Sequence, residues 1–184
     1  MRPGTRPARR VRAPSWRPSR TPRDHASRWI QAQTRRYIST VSGVPVFNFS
    51  TLVKVRFAET DAAGIAHHAS YLVWFETARV AYLAEHAGGY QALRDTGVES
   101  PVVQISARYI SPAFFDENLR VHARCCDVRG ARLRFEYLIE RDGERIAEGE
   151  SLHALVDSRS LRPVRVPEWL HEAIQQAELK GRVL

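Results

Sequence analysis

Alternating apolar and polar positions dominate the second half of the chain. Leu119, Val121, Ala123 and Cys125 alternate with Arg120, His122 and Arg124, and Leu133, Phe135, Tyr137 and Ile139 alternate with Arg132, Arg134, Glu136 and Glu140. A period of two puts successive side chains on opposite faces, so both stretches read as strands with one face buried and one in water. Residues 102–110, bracketed by Pro101 and Pro112, follow the same rule, with Val103, Ile105, Ala107 and Tyr109 set against Gln104, Ser106 and Arg108. Asp142-Gly143 marks a tight hairpin into a further strand over 145–156. Apolar parity in that strand breaks down around Gly149, which predicts a bulge there. Residues 51–57 supply one more strand, ending in the turn chemistry of residues 58–64.

A helix is predicted over 68–87, closed by Gly88-Gly89 as a C-terminal stop. Its first half, Tyr71-Leu72-Val73-Trp74-Phe75, is apolar on every side, which predicts a helix enclosed by other elements rather than one lying on a surface. A short second helix fits 90–95, before Gly97. After a Pro-punctuated segment at 162–167, a C-terminal helix fits residues near 168–179. One strand, one enclosed helix and four antiparallel strands give an α+β fold, a sheet wrapped around a helix. Such a sheet leaves long edges, and a dimer that joins edge strands is the economical way to cover them.

Composition divides the chain in two. The formal charge is +8, yet residues 1–45 hold 11 arginines and one acid, Asp24, while residues 46–184 hold 17 basic residues against 19 acids. The basic character therefore belongs to residues 1–45, an Arg/Pro-rich leader or tail with little apolar content. Disorder is expected there, with at most a weak helix at 28–34. Three readings of that segment compete. Arg35-Arg36-Tyr37-Ile38-Ser39 resembles a matrix-processing site, which would make it a mitochondrial presequence. A basic arm could bind nucleic acid, although Trp16, Trp29 and Tyr37 are thin aromatic interleaving. The third is leader sequence from a GC-rich genome, suited by 26 arginines to 2 lysines, with Val41, Val44 or Val46 as an alternative start. Residues 46–184 are long enough for one domain with a proper core. No stretch approaches the ~18 apolar residues of a membrane span. Cys125 and Cys126 are adjacent and can build neither a disulfide framework nor a four-ligand zinc site, so a reducing, cytoplasmic location is expected. The alternative location is the mitochondrial matrix, if the leader is a presequence.

Reactive groups gather where the first strand meets the long helix: Glu59, Asp61, His67 and His68. A helix start presents unpaired backbone N–H groups and partial positive charge, suited to an oxyanion. A nearby carboxylate can activate water or attack a carbonyl. Together these supply what hydrolysis of an activated acyl compound needs. The same Asp before Ala-Ala-Gly also fits an ordinary turn, and the two histidines also fit caps.

The stretch from Val55 to Glu76, and within it the core Thr60-Asp61-Ala62-Ala63-Gly64-Ile65-Ala66-His67-His68-Ala69-Ser70-Tyr71, resembles the signature of the 4-hydroxybenzoyl-CoA thioesterase family, in particular the branch associated with the Tol–Pal system. Arg129-Gly130 and the closing Arg162-Pro163 and Pro167-Glu168-Trp169-Leu170 extend the resemblance over roughly residues 50–170. It implies a hotdog fold, with a five-stranded antiparallel sheet around a central helix. The implied activity is cofactor-free cleavage of acyl-CoA or acyl-pantetheine, by a homodimer or homotetramer with active sites at subunit interfaces. Asp61 then matches the catalytic aspartate, as general base or nucleophile. His68 matches the histidine at the helix start, whose backbone N–H is the implied oxyanion donor. Gly64 matches the glycine that lets the thioester approach the backbone, Tyr71 is a wall, and Glu76 positions the helix, paired with Arg79. Two departures stand out: Phe57 and His67 occupy positions where members of that branch carry tyrosine.

Elsewhere the chain offers little that competes. Gly88-Gly89 lacks the Lys of a phosphate loop, Ser70 lies outside a nucleophile elbow, and no metal-ligand spacing is legible. Arg129 and Arg132, with Arg134, could meet the phosphates of coenzyme A, or form a solvated strand face. The rival functions are a non-hydrolytic acyl-thioester binding module, a hotdog dehydratase, and nucleic-acid binding through residues 1–45.

Overall fold

Strand β1 (Phe49–Lys54) opens the described part of the chain, which in the computed structural model is residues 46–179. The expectations for residues 1–45, the weak helix at 28–34 included, lie outside it. A single 3-10 turn (Phe57–Glu59) follows, then the long helix α1 (His68–His86), the short α2 (Gly89–Asp95) and strand β2 (Val98–Glu99). Strands β3 (Val102–Tyr109), β4 (Asn118–Arg129), β5 (Arg132–Arg141) and β6 (Glu144–Ala154) come next. Strand β7 (Val156–Asp157) and helix α3 (Glu168–Leu179) complete the order. The main sheet is antiparallel with the order β1-β4-β5-β6-β3, and α1 packs against one face of it, which is the hotdog arrangement.

The alternation decides what is buried. Leu119, Val121, Ala123 and Cys125 of β4 and Leu133, Phe135, Tyr137 and Ile139 of β5 all turn inward onto α1. The helix meets them with Tyr71, Trp74, Phe75, Ala78, Tyr82 and Leu83. Phe75 stacks on Tyr137 at 4.6 Å between ring centroids, and Tyr82 meets Phe135 edge-on at 5.6 Å. Asp142 and Gly143 both take positive φ, the backbone of the type I′ hairpin their sequence calls for.

Four details depart from the sequence reading. First, α1 is enclosed on one face only: Val73 and Val80 stay 49% and 40% exposed on the other. Second, β1 runs Phe49–Lys54, and Phe57 falls in the 3-10 turn rather than the strand. Third, there is no bulge at Gly149. Its pairing runs unbroken to Tyr137 on one side and Ala107 on the other, and the register shifts lie at 139/140 and 102/104. The irregular parity comes instead from polar Ser151 and His153 on the buried face and from Gly149 itself, where a Cβ would stand 2.5 Å from the Phe75 ring. Fourth, β2 and β7 pair as a separate two-stranded ribbon, too short to show periodicity.

Candidate active site

The loop from Thr60 to His67 is folded by its own hydrogen bonds. Asp61 N donates to Ile65 O at 2.9 Å and Gly64 N donates to Asp61 O at 2.9 Å, closing a tight turn in which Gly64 takes φ +72°. That conformation favours glycine, because a Cβ would strain it. The Asp61 carboxylate joins the turn: Oδ1 accepts from Ala63 N at 2.8 Å and from Ile65 N at 3.4 Å. Its Oδ2 has no partner among the described residues, and the side chain is exposed. The loop is tied down by Ala66 N donating to Ala113 O at 2.8 Å and by a bridge between Ile65 and Phe114.

The loop runs straight into α1. His67 is the N-cap, its Nδ1 accepting from Ala69 N at 3.2 Å while its carbonyl accepts from Ser70 N at 2.9 Å. Of the first-turn donors, which have no carbonyl of their own helix to bond, this leaves the N–H groups of His68 and Tyr71 without an acceptor among the described residues, and His68 is the one at the helix start. The rings of His67 and His68 lie 4.0 Å apart. A free carboxylate oxygen and an uncommitted helix-start N–H therefore belong to one short, hydrogen-bonded segment.

Buried polar groups hold this segment. Glu59 is only 8% exposed; its Oε2 accepts from Arg56 N at 2.8 Å, and its Oε1 accepts from Arg56 Nη2 at 2.8 Å and Trp74 Nε1 at 3.1 Å. Burial alone would raise its pKa, but the donors from Arg56 and Trp74 outweigh that and hold it below the usual carboxylate range. Its backbone carbonyl accepts from His67 N at 2.7 Å and Ser70 Oγ at 3.1 Å, so Glu59 clamps the 3-10 turn to the helix start. Tyr71 is 2% exposed, its phenol is pushed up to about 12 by burial, and its oxygen accepts from Ala113 N at 3.3 Å. It is a neutral strut beneath the loop. Tyr109, from β3, donates to His68 O at 3.0 Å.

Asp61, Gly64, His67, His68 and Tyr71 thus come together. Arg129 and Arg132 do not join them within one chain: they face each other across the β4–β5 hairpin, and β4 carries that hairpin roughly 35 Å from the end beside β1. Glu76 meets Arg79 at 3.5 Å. The sequence reading missed Tyr109, which lies 41 residues from His68, and the clamp formed by Glu59, whose partner Trp74 looks like plain core.

The sequence profile of the thioesterase-like superfamily matches residues 55–174. The Bacillus subtilis protein YneP is 36% identical over 131 residues, 68% of this chain and 94% of its own length. YbgC of Escherichia coli O6:H1, an acyl-CoA thioester hydrolase, is 31% identical over 117 residues, 63% of this chain and 87% of its own. Among solved structures, a thioesterase from Thermus thermophilus complexed with coenzyme A and Zn is 26% identical with a TM-score of 0.63, covering 72% of this chain and 95% of that one. Among the described residues here, no three His, Cys, Asp or Glu side chains converge as a metal ion would require. No helix among them is long and apolar enough to cross a membrane. With the profile spanning well over half of its length, the chain belongs to the thioesterase-like superfamily.

Proposed function

We propose that the protein hydrolyses acyl-CoA, or acyl carried on a pantetheine arm, to the free acid and thiol at the junction of the Asp61 loop and α1. The observation that carries this reading is the pairing of a half-free carboxylate with an uncommitted helix-start N–H in one rigid segment. The Ala63 and Ile65 amides fix Asp61 through Oδ1, which leaves Oδ2 to act. As general base, Oδ2 takes a proton from water while the water oxygen attacks the thioester carbon. As nucleophile, it attacks that carbon itself, and water then cleaves the mixed anhydride. In either route the carbonyl oxygen gains negative charge, which the His68 N–H and the positive end of α1 stabilise. Collapse of the tetrahedral species expels the thiolate, a good leaving group, which takes up the proton held by Asp61 in the base route or the one released when water cleaves the anhydride in the nucleophile route. Gly64 keeps the loop open to the thioester, and His67 holds the first turn in place.

A second copy of the chain completes the site. Strand β3 is one of the two edges of the sheet, and along it Val103, Ile105 and Tyr109 are 55%, 37% and 43% exposed beside the exposed Val73 of α1. An open edge with this much apolar surface invites pairing with its own kind.

Thiol release from an acyl-CoA panel is the direct test. Asp61→Asn should lower kcat by about 10²- to 10⁴-fold, the usual worth of a positioned acid–base group. His68→Ala should cost less, because the donor assigned here is its backbone. Undiminished turnover by Asp61→Asn would overturn the assignment.

A further inference from the structure

Farther along α1 lies a cavity of about 270 Å³ between the helix and the edge strand. Leu72 and Val73 of α1 and Val102 and Ile105 of β3 make its walls apolar. Its other wall is polar and fully buried. His153 is 1% exposed and Ser151 2%, and Tyr137 is 3% exposed. The direction of their hydrogen bonds follows from one fixed end. The Ser100 carbonyl can only accept, so His153 Nδ1 donates to it at 3.4 Å, which leaves Nε2 as an acceptor. Ser151 Oγ then donates to Nε2 at 2.8 Å, and the Tyr137 hydroxyl donates to Ser151 Oγ at 2.7 Å. The imidazole is held neutral, its pKa lowered to about 4 by burial and by the charge of Arg79. Every donor in this chain is therefore spent.

Arg79 is the exception. Arg79 lines the cavity and is only 5% exposed. Its ion pair is a 3.5 Å contact from Nη2 to Glu76, whose side chain is 65% exposed, and its Nη1 has no partner among the described residues. A buried cation with so little compensation is costly, and no other ion pair reaches it among the described residues. The cavity is an apolar slot with an unbalanced positive charge in its wall.

We infer that this cavity is the acyl pocket and that Arg79 selects acyl groups ending in a carboxylate. This rests on the thioesterase reading above. From His68 to Arg79 the helix rises about 16 Å, and helical side chains lean back toward the N-terminus, so the guanidinium stands about 10 Å from the helix start. At ~30 Å³ for a water-sized group, the cavity holds roughly nine non-hydrogen atoms. Both lengths suit a straight ω-carboxyacyl chain of about six to eight carbons, with its thioester carbon at His68 and its carboxylate on Arg79.

The test uses two thioethers of coenzyme A that cannot be hydrolysed, one with a plain eight-carbon chain and one of the same length ending in a carboxylate. Calorimetry should show the carboxylate form binding wild type at least tenfold more tightly. Arg79→Gln should abolish or reverse that advantage, and Arg79→Lys should keep part of it. Equal binding of the two thioethers by wild type, or tighter binding of the plain one, overturns the inference. So does failure of both to bind, or an Arg79→Gln variant that weakens both equally and changes the mass of the assembly in solution, since the guanidinium would then serve the subunit contact. If the carboxylate form binds more tightly but neither matching acyl-CoA releases thiol, the pocket stands and the hydrolase reading falls.

Discussion

Gly149→Ala should be among the most damaging single methyl additions in the molecule. A Cβ at this position would stand 2.5 Å from Phe75 Cε2, 2.9 Å from Phe75 Cζ and 2.5 Å from the backbone oxygen of Ser106. Ordinary carbon contacts begin near 3.4 Å, so the neighbours must retreat by most of an ångström on two sides at once. Neither can do so freely. Phe75 is fully buried and stacked on Tyr137 at 4.6 Å, while Ser106 O belongs to β3, paired to β6 on either side of Gly149. Overpacking of this kind costs about 1–3 kcal/mol where the surroundings relax, and two rigid neighbours put this case near the top, about 3 kcal/mol. For a domain of this size that lowers Tm by roughly 6–12 °C. Denaturation at fixed protomer concentration measures it, because assembly would otherwise shift the midpoint. A double-mutant cycle isolates the cause: in a Phe75→Leu background one of the two clashes is gone, and Gly149→Ala should cost only about 1 kcal/mol more. A loss under about 0.5 kcal/mol in wild type, or the same loss in both backgrounds, would refute the steric account.

Two further outcomes concern His153 and Tyr109. The His153 imidazole is lowered from 6.5 to about 4, so between these values the unfolded chain binds more protons than the folded one, and stability rises with pH across that window. The contribution is about 3 kcal/mol, fully present above pH 6.5 and lost as pH falls toward 4. Urea midpoints against pH should show this slope in wild type and a flatter one in His153→Gln; identical slopes would sink the idea. Tyr109→Phe removes the hydroxyl that holds His68 O, and should lower kcat/KM about three- to tenfold with less than about 1 kcal/mol change in stability. An unchanged kcat/KM would remove Tyr109 from the positioning of the helix start.

What was legible in the sequence was whatever is local. Leu119 to Cys125 and Leu133 to Ile139 announce their strands because burial on one face repeats every second residue. Asp61, Gly64 and His68 were legible together because one loop and one helix start carry them all. The rest of the site depends on distant pairings that no local pattern encodes. Trp74 looks like core until its indole N–H is seen on Glu59, and Tyr109 looks like an alternating strand residue until its hydroxyl reaches His68. Gly149 misled for a related reason: a missing side chain resembles a break in parity, although the strand runs straight and the space belongs to Phe75.

The edge strand β3 shows why such pairings matter for function. Its inner side walls the cavity with Val102 and Ile105, Tyr109 near its end holds the carbonyl of His68, and its outer backbone is unpaired within the sheet. The strand is paired on one side only, to β6, so any shift of it would move the cavity wall and the helix start together. Pairing with a second copy, as proposed above, would hold the strand from its other side by adding hydrogen bonds there. In the proposed dimer, subunit association and preorganisation of the site would be one physical event: the contact that covers the apolar edge would also fix the geometry in which Asp61, the His68 N–H and Arg79 are proposed to act.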